Sequence, residues 1–213
     1  MVLVFFVKGI VVGAIIAVPV GPVGVLCLRK AIFEGRIAGL MAGLGAATAD
    51  AFFGAIAAFG LTFVSKWLLG YDSLLRVLGG CYLLYVGARA LLIPPSEPTK
   101  EPRDAESLFR DFISIFALTV TNPITILVFL GIFDMLGLNG AHATLLYAGA
   151  LVVGVWTGSL AWWLGLSFGV GMFRGAIGAR QLGWISRGSG LILFLSGTGL
   201  LAFSVVKQLA HLV

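Results

Sequence analysis

The sequence predicts an all-α integral membrane protein of six transmembrane helices, and three observations carry that prediction. Hydrophobic residues make up 60% of the 213-residue chain and charged residues only 11%, against roughly 45–50% and about 25% in soluble domains. The mean hydropathy is +1.09. The apolar residues fall into six runs, at 3–28, 38–64, 73–93, 112–136, 143–168 and 188–209, each near the roughly 20 residues that cross a hydrocarbon core. So few charges cannot clothe a water-facing surface, which excludes a soluble enzyme. Lipid offers backbone groups no partners, so the runs must be helices, and the short alternating strands of a barrel are absent.

The first run starts at the N-terminus and lacks a small-residue cleavage site followed by a soluble domain, so it reads as a retained span rather than a signal peptide. It is interrupted at Val18-Pro19-Val20-Gly21-Pro22-Val23-Gly24. Two prolines three apart remove two amide donors and clash with preceding carbonyls. The freed carbonyls cost several kcal/mol unless they face protein or a water-filled cavity. A merely kinked helix is one reading. A broken helix whose exposed backbone at Pro19, Gly21 and Pro22 binds a solute is the other.

The second run is apolar except for Asp50 near its centre. An acid at that depth costs about 2.5–3.5 kcal/mol on insertion scales. Such residues usually face the bundle interior and serve an ion or proton path. A structural Asp bonded to a neighbouring group is the plainer alternative. The third run is followed by a connector at 94–111 with four of the seven prolines and five of the nine acids, among them Glu97, Asp104 and Asp111. It has too little apolar surface to fold alone and reads as flexible or extended. It divides the chain into halves 1–93 and 112–213.

The fourth run holds Thr121-Asn122-Pro123-Ile124-Thr125. Pro123 frees a carbonyl about one turn upstream, and Asn122 adds a donor and an acceptor. Counted from Phe112, Asn122 lies about 15 Å into the bilayer. Interruptions in corresponding spans of two halves point to a transporter's binding site, so Thr121, Asn122 and Pro123 join the candidate solute-binding residues. Between the fifth and sixth runs, 172–187 mixes apolar residues with Arg174, Arg180 and Arg187, and reads as an interfacial segment or a solvated loop.

Three spans per half is an odd number, so the halves insert with opposite orientation and, if they are repeats, are inverted ones. Setting Gly45-Ala46 against Gly149-Ala150 also brings Gly54 onto Gly158. The third and sixth runs share an Arg-x-x-Gly start at Arg76/Gly79 and Arg187/Gly190. Ten Lys and Arg adjoin the loops after the first, third and fifth runs, including Arg29, Lys30, Arg36, Arg89 and Arg187. Lys8, Lys66, Arg76 and Lys207 are left for the other side. That asymmetry predicts the first set in the cytoplasm and both termini outside. It also accounts for the net charge of +5 without a nucleic-acid partner. Glycines four apart (Gly9/Gly13, Gly39/Gly43, Gly154/Gly158, Gly165/Gly169) are expected to let helices approach closely.

The two cysteines, Cys27 and Cys81, sit in apolar runs without a CxxC, and His142 and His211 lack partners at ligand spacing. No metal or cofactor is expected.

At Pro19-Val20-Gly21-Pro22, Arg29-Lys30, Glu34-Gly35-Arg36, Gly39, Gly43-Leu44-Gly45 and Asp50 the sequence resembles the opening of the LysE/RhtB family of amino-acid exporters. Gly79-Gly80-Cys81-Tyr82-Leu83-Leu84-Tyr85-Val86-Gly87 is similar to that family's third span, and Asn122-Pro123 to its Asn-Pro in the fourth. The resemblance implies an inner-membrane exporter of amino acids or related metabolites driven by the ion gradient. One departure stands out: family members commonly carry Asn just after the Gly-Pro, where this chain has Val23 and Gly24. If that Asn contacts the solute, the solute here differs from a basic or simple neutral amino acid.

The expected function is therefore proton-coupled export of a small amphipathic solute, with Asp50 as proton carrier or cation partner. The lipid bilayer surrounds the chain, and a homodimer is a further candidate assembly. Two rivals come from other classes: a membrane thiol or electron carrier using Cys27 and Cys81, and a passive small-solute channel.

Overall fold

The computed structural model describes residues 1–18, 21–59, 70–93, 103–122, 125, 128–129, 131–132, 145–173 and 179–210. Among these the chain is all-helical, with seven helices: α1 (Val2–Ala17), α2 (Pro22–Phe33), α3 (Arg36–Ala58), α4 (Asp72–Leu92), α5 (Ala105–Val120), α6 (Leu145–Phe173) and α7 (Ala179–Ala210). Four of them, α3, α4, α6 and α7, are long and apolar enough to cross a bilayer. The α1–α2 pair, bent by 82° at its break, makes a fifth span if taken as one.

Local chemistry explains the boundaries. Pro22 stands at the first position of α2, where its missing N–H leaves no bond unmade. Gly21 before it has φ 141°, a region that side chains rarely tolerate. Gly35, with φ 106°, makes the corner between α2 and α3. The first span thus breaks where the prolines predict, although its second segment continues to Phe33 rather than stopping at 28. Helix α4 ends at Leu92, two residues before Pro94, which disfavours helix in the residue preceding it.

Two expectations are corrected. The connector read as extended over 94–111 is helical from Ala105 onward, because Asp104 caps α5 by accepting the Ser107 N–H. The segment read as an interfacial piece or loop over 172–187 is helical from Ala179, continuous with the last span. There Leu182 and Ser186 turn inward while Trp184 stays exposed.

Helix α3 is the hub. It packs along α6 on one side and α5 on another, while α1 lies against α6 and α4 against α7. The α1–α6 seam is backbone to backbone: a Cβ added at Gly13 would collide with the Val155 carbonyl, and one at Gly158 with the Ile10 carbonyl. The α4–α7 seam interlocks Gly80 with Gly197 and Gly87 with Gly190. One core cluster joins Val12, Phe53, Ile56, Phe129 and Val155. The other joins Cys27, Ala46, Leu83, Ile115, Trp163 and Leu193. Large apolar side chains such as Leu145, Leu146 and Leu195 point outward, as lipid-facing positions do.

Candidate functional site

Where the first span breaks, Gly21, Pro22, Val23 and Gly24 form one wall of a pocket of about 100 Å³. Ala46 and Asp50, one turn apart on α3, form the second. Thr119 and Asn122 at the end of α5, with Thr125 beyond, form the third, and Trp163 of α6 closes it. Of the residues singled out in the sequence, Gly21, Pro22, Asp50 and Asn122 therefore surround one cavity. Pro19 and Pro123 lie outside the described residues. Thr121 does not line the pocket: its hydroxyl donates to the Leu118 carbonyl at 3.0 Å, and its Oγ1 lies toward Gly79 of α4.

Asp50 is buried, with 4% of its surface exposed. Its Oδ2 accepts a hydrogen bond from Ser159 Oγ of α6 at 2.7 Å. A desolvated acid needs such a donor to offset part of the cost of burial. Two helix ends also meet the cavity. The N-terminal turn of α2 starts at Pro22, where unpaired amides carry partial positive charge. The C-terminal turn of α5 ends at Val120 with Thr121 as its cap, where carbonyls carry partial negative charge. Asn122 lies just past that end, its N–H bonded to the Thr119 carbonyl at 3.1 Å and its carbonyl accepting from Thr125 N at 3.1 Å. The arrangement offers an anion-attracting end, a cation-attracting end and a carboxylate around one small space.

Three features escaped sequence reading. Ser159 and Trp163 are four apart on α6 and so share the face that meets α3. In a Gly- and Trp-rich apolar run, nothing marks Trp163 as lining a cavity or Ser159 as the partner of a buried acid. Trp163 packs against Gly43, whose missing side chain makes room for it. The third feature is an ion-pair lattice at the arginine-rich end. Lys30 near the end of α2 contacts Asp111 of α5 and lies 3.5 Å from Glu34, while Arg103 contacts Glu34 and approaches Asp111 Oδ2 at 3.3 Å. Asp111 is buried there. The single signal for it was an acid at the boundary of the connector.

Cys27 is buried and Cys81 exposed, both with free thiols, so the thiol-carrier reading gains nothing from their placement. Among the described residues no group of His, Cys, Asp and Glu could hold a metal ion.

Comparison with known proteins agrees with this architecture. The LysE type translocator family matches residues 14–203. "Putative amino acid efflux protein YcgF" of Bacillus subtilis is 28% identical over 217 residues, covering 96% of this chain and 98% of that protein. "Uncharacterized membrane protein YahN" of Escherichia coli is 31% identical over 111 residues, covering 51% of this chain and 49% of that protein. No solved structure matches the chain. With the match running through the broken first span, Asp50 and all the long apolar helices, this chain belongs to the LysE type translocators, a family of multi-pass membrane transporters.

Proposed function

We propose that this protein is a secondary exporter, moving an amino acid or related small metabolite outward across the bacterial inner membrane in exchange for protons. The observation that carries the reading is the shared pocket: a buried carboxylate faces two helix interruptions, one from each half of the chain. A packing Asp would need its Ser159 partner but not a cavity beside it. The direction of transport rests on the family and on the efflux relative.

Six spans in two inverted halves give this pocket its place. Helices α1 and α2 form the first span. Helix α5, with the helical residues Thr125, Val128, Phe129, Gly131 and Ile132 beyond it, forms the fourth. The packing supports a pseudo-two-fold axis. The second and fifth spans pair with each other, as do the third and sixth, and the α1–α6 seam has α5–α3 as its counterpart. Within the α4–α7 seam, exchanging Gly80 with Gly190 and Gly87 with Gly197 maps the two contacts onto each other, one residue out of the Gly79/Gly190 register read from the sequence. Binding sites of such transporters lie at the repeat interface, where discontinuous helices present free backbone groups.

The arginine-rich end, with Arg29, Arg36, Arg89, Arg110 and Arg187, is the cytoplasmic one, and the end carrying Lys8 and Arg76 faces outward. The lattice of Lys30, Glu34, Arg103 and Asp111 then ties the two halves together on the cytoplasmic side. Rocking of one half against the other opens the pocket to that side only when these pairs separate. Asp50 binds the proton inbound and the solute's cationic group outbound. Pro19 and Pro123, with Gly21, Pro22 and Asn122, supply the free backbone around the solute, whose carboxylate faces the start of α2.

The test is efflux from loaded proteoliposomes under an imposed pH gradient. Asp50→Asn is expected to abolish the pH dependence and most of the flux. Wild-type flux and pH dependence in that variant would end the coupling role, and flux indifferent to the gradient in the native protein would favour a channel.

A further inference from the structure

Two polar groups at the pocket are already committed. Asp50 Oδ2 holds the Ser159 hydroxyl, and the Thr119 hydroxyl donates to the Ile115 carbonyl at 2.8 Å. Val23, Gly24 and Ala46 contribute no polar side chain. Trp163 is not committed. It is 3% exposed, it lines the cavity, and its Nε1–H is buried without an acceptor. Leaving a buried donor unpaired costs about 1–3 kcal/mol, and native structures rarely tolerate it without a ligand or water to take the bond. The side chain packs against Gly43, where an added Cβ would collide with its Cβ and Cγ. Asp50, which lines the same cavity, complements it with a carboxylate whose Oδ2 holds Ser159.

We propose that Trp163 is a solute-binding and specificity-determining residue, its indole N–H donating to a carboxylate oxygen of a small zwitterion whose ammonium group meets Asp50. The inference rests on the export reading and narrows it. The cavity of about 100 Å³ is small beside the roughly 300–1,000 Å³ of typical ligand pockets, so a compact solute suits it. The carboxylate must lie within about 3 Å of Nε1, which separates zwitterions from the corresponding amines and esters.

The experiment measures counterflow of glycine, alanine and serine in proteoliposomes, with alanine methyl ester and ethylamine as competitors. Wild-type protein is expected to take the free amino acids at least about tenfold better than the ester, the scale of one hydrogen bond to a charged group. Trp163→Phe keeps an aromatic ring without the N–H. It should raise KM for the amino acids about tenfold to a hundredfold and leave inhibition by ester and amine unchanged. Replacement of Trp163 by benzothienylalanine, which puts sulfur in place of the N–H at constant shape, should do the same and separates the bond from the packing. Equal losses for acid and ester in both variants would overturn the proposal in favour of a packing role. So would failure of all three amino acids to move. If a larger or singly charged solute is instead moved with Asp50-dependent pH coupling, the export reading stands and only the Trp163 assignment falls.

Discussion

Adding one methyl group at Gly13 tests whether the α1–α6 seam is a backbone contact or merely a glycine-rich stretch. The new Cβ would run into the Val155 carbonyl group, and at Gly158 it would meet the Ile10 carbonyl group. Neither obstacle is a side chain that can rotate aside, so the helices must separate along the seam. Overpacking of this kind costs about 1–3 kcal/mol. Because the neighbour is rigid, the upper end of that range applies. The substitution also gains about 1 kcal/mol of helix propensity. The net expectation is a loss of about 2 kcal/mol for Gly13→Ala and a similar loss for Gly158→Ala. Gly165 is the internal control. It has the same spacing to Gly169 as Gly154 has to Gly158, yet a Cβ there meets nothing within 4 Å, so Gly165→Ala should be neutral or stabilising by up to about 1 kcal/mol. Reversible SDS unfolding of the purified protein, followed by circular dichroism, measures all three. If Gly165→Ala destabilises as much as Gly13→Ala, glycine acts here through something other than close approach.

Three further outcomes follow from named contacts. Lys30→Met and Asp111→Asn should each destabilise the protein by less than the roughly 3–5 kcal/mol of an isolated buried pair, because Arg103 still faces Asp111 in the first and Glu34 still faces Lys30 in the second; SDS unfolding of the single and double variants closes the cycle. Ser159→Ala removes the donor to Asp50, so stability should fall by about 1.5–3 kcal/mol and flux should drop, whereas Ser159→Thr, which keeps a hydroxyl, should retain part of both. At the start of α5, outside the spanning segments, the Ser107 hydroxyl, helped by the Ser107 N–H, holds the Asp104 carboxyl below its usual range. A depressed pKa stabilises the folded form above the ordinary carboxylate range, and that stabilisation is lost as pH falls through the folded value. The protection of the Ser107 amide, measured as its exchange rate relative to the intrinsic rate at each pH, should therefore fall in acid in the native protein, and Asp104→Ala should remove that protection at every pH.

Much of this molecule was readable along the chain. Membrane residence follows from composition, since 11% charged residues cannot solvate a surface. The break at Gly21–Pro22 follows from local backbone chemistry, and the weight on Asp50 from the cost of an acid in hydrocarbon. All three depend on the residue itself or its immediate neighbours. The helical start at Ala105 was also written locally, in the Asp104–Ser107 cap, but it was obscured by the acidic, proline-rich composition around it.

Other features depend on how helices rotate and which faces meet, and no local pattern holds that information. Asp50 and Ser159 are 109 residues apart, Lys30 and Asp111 are 81 apart, and only packing brings each pair together. Four glycine pairs share one spacing in the sequence. In the structure Gly9/Gly13 and Gly154/Gly158 carry close backbone contact, Gly39/Gly43 makes room for Ala31 and Trp163, and Gly165/Gly169 meets nothing. Thr121 and Asn122 are adjacent, yet one turns toward α4 and the other toward the cavity. Successive residues on a helix point about 100° apart, so the tertiary arrangement alone decides which of them a solute can touch.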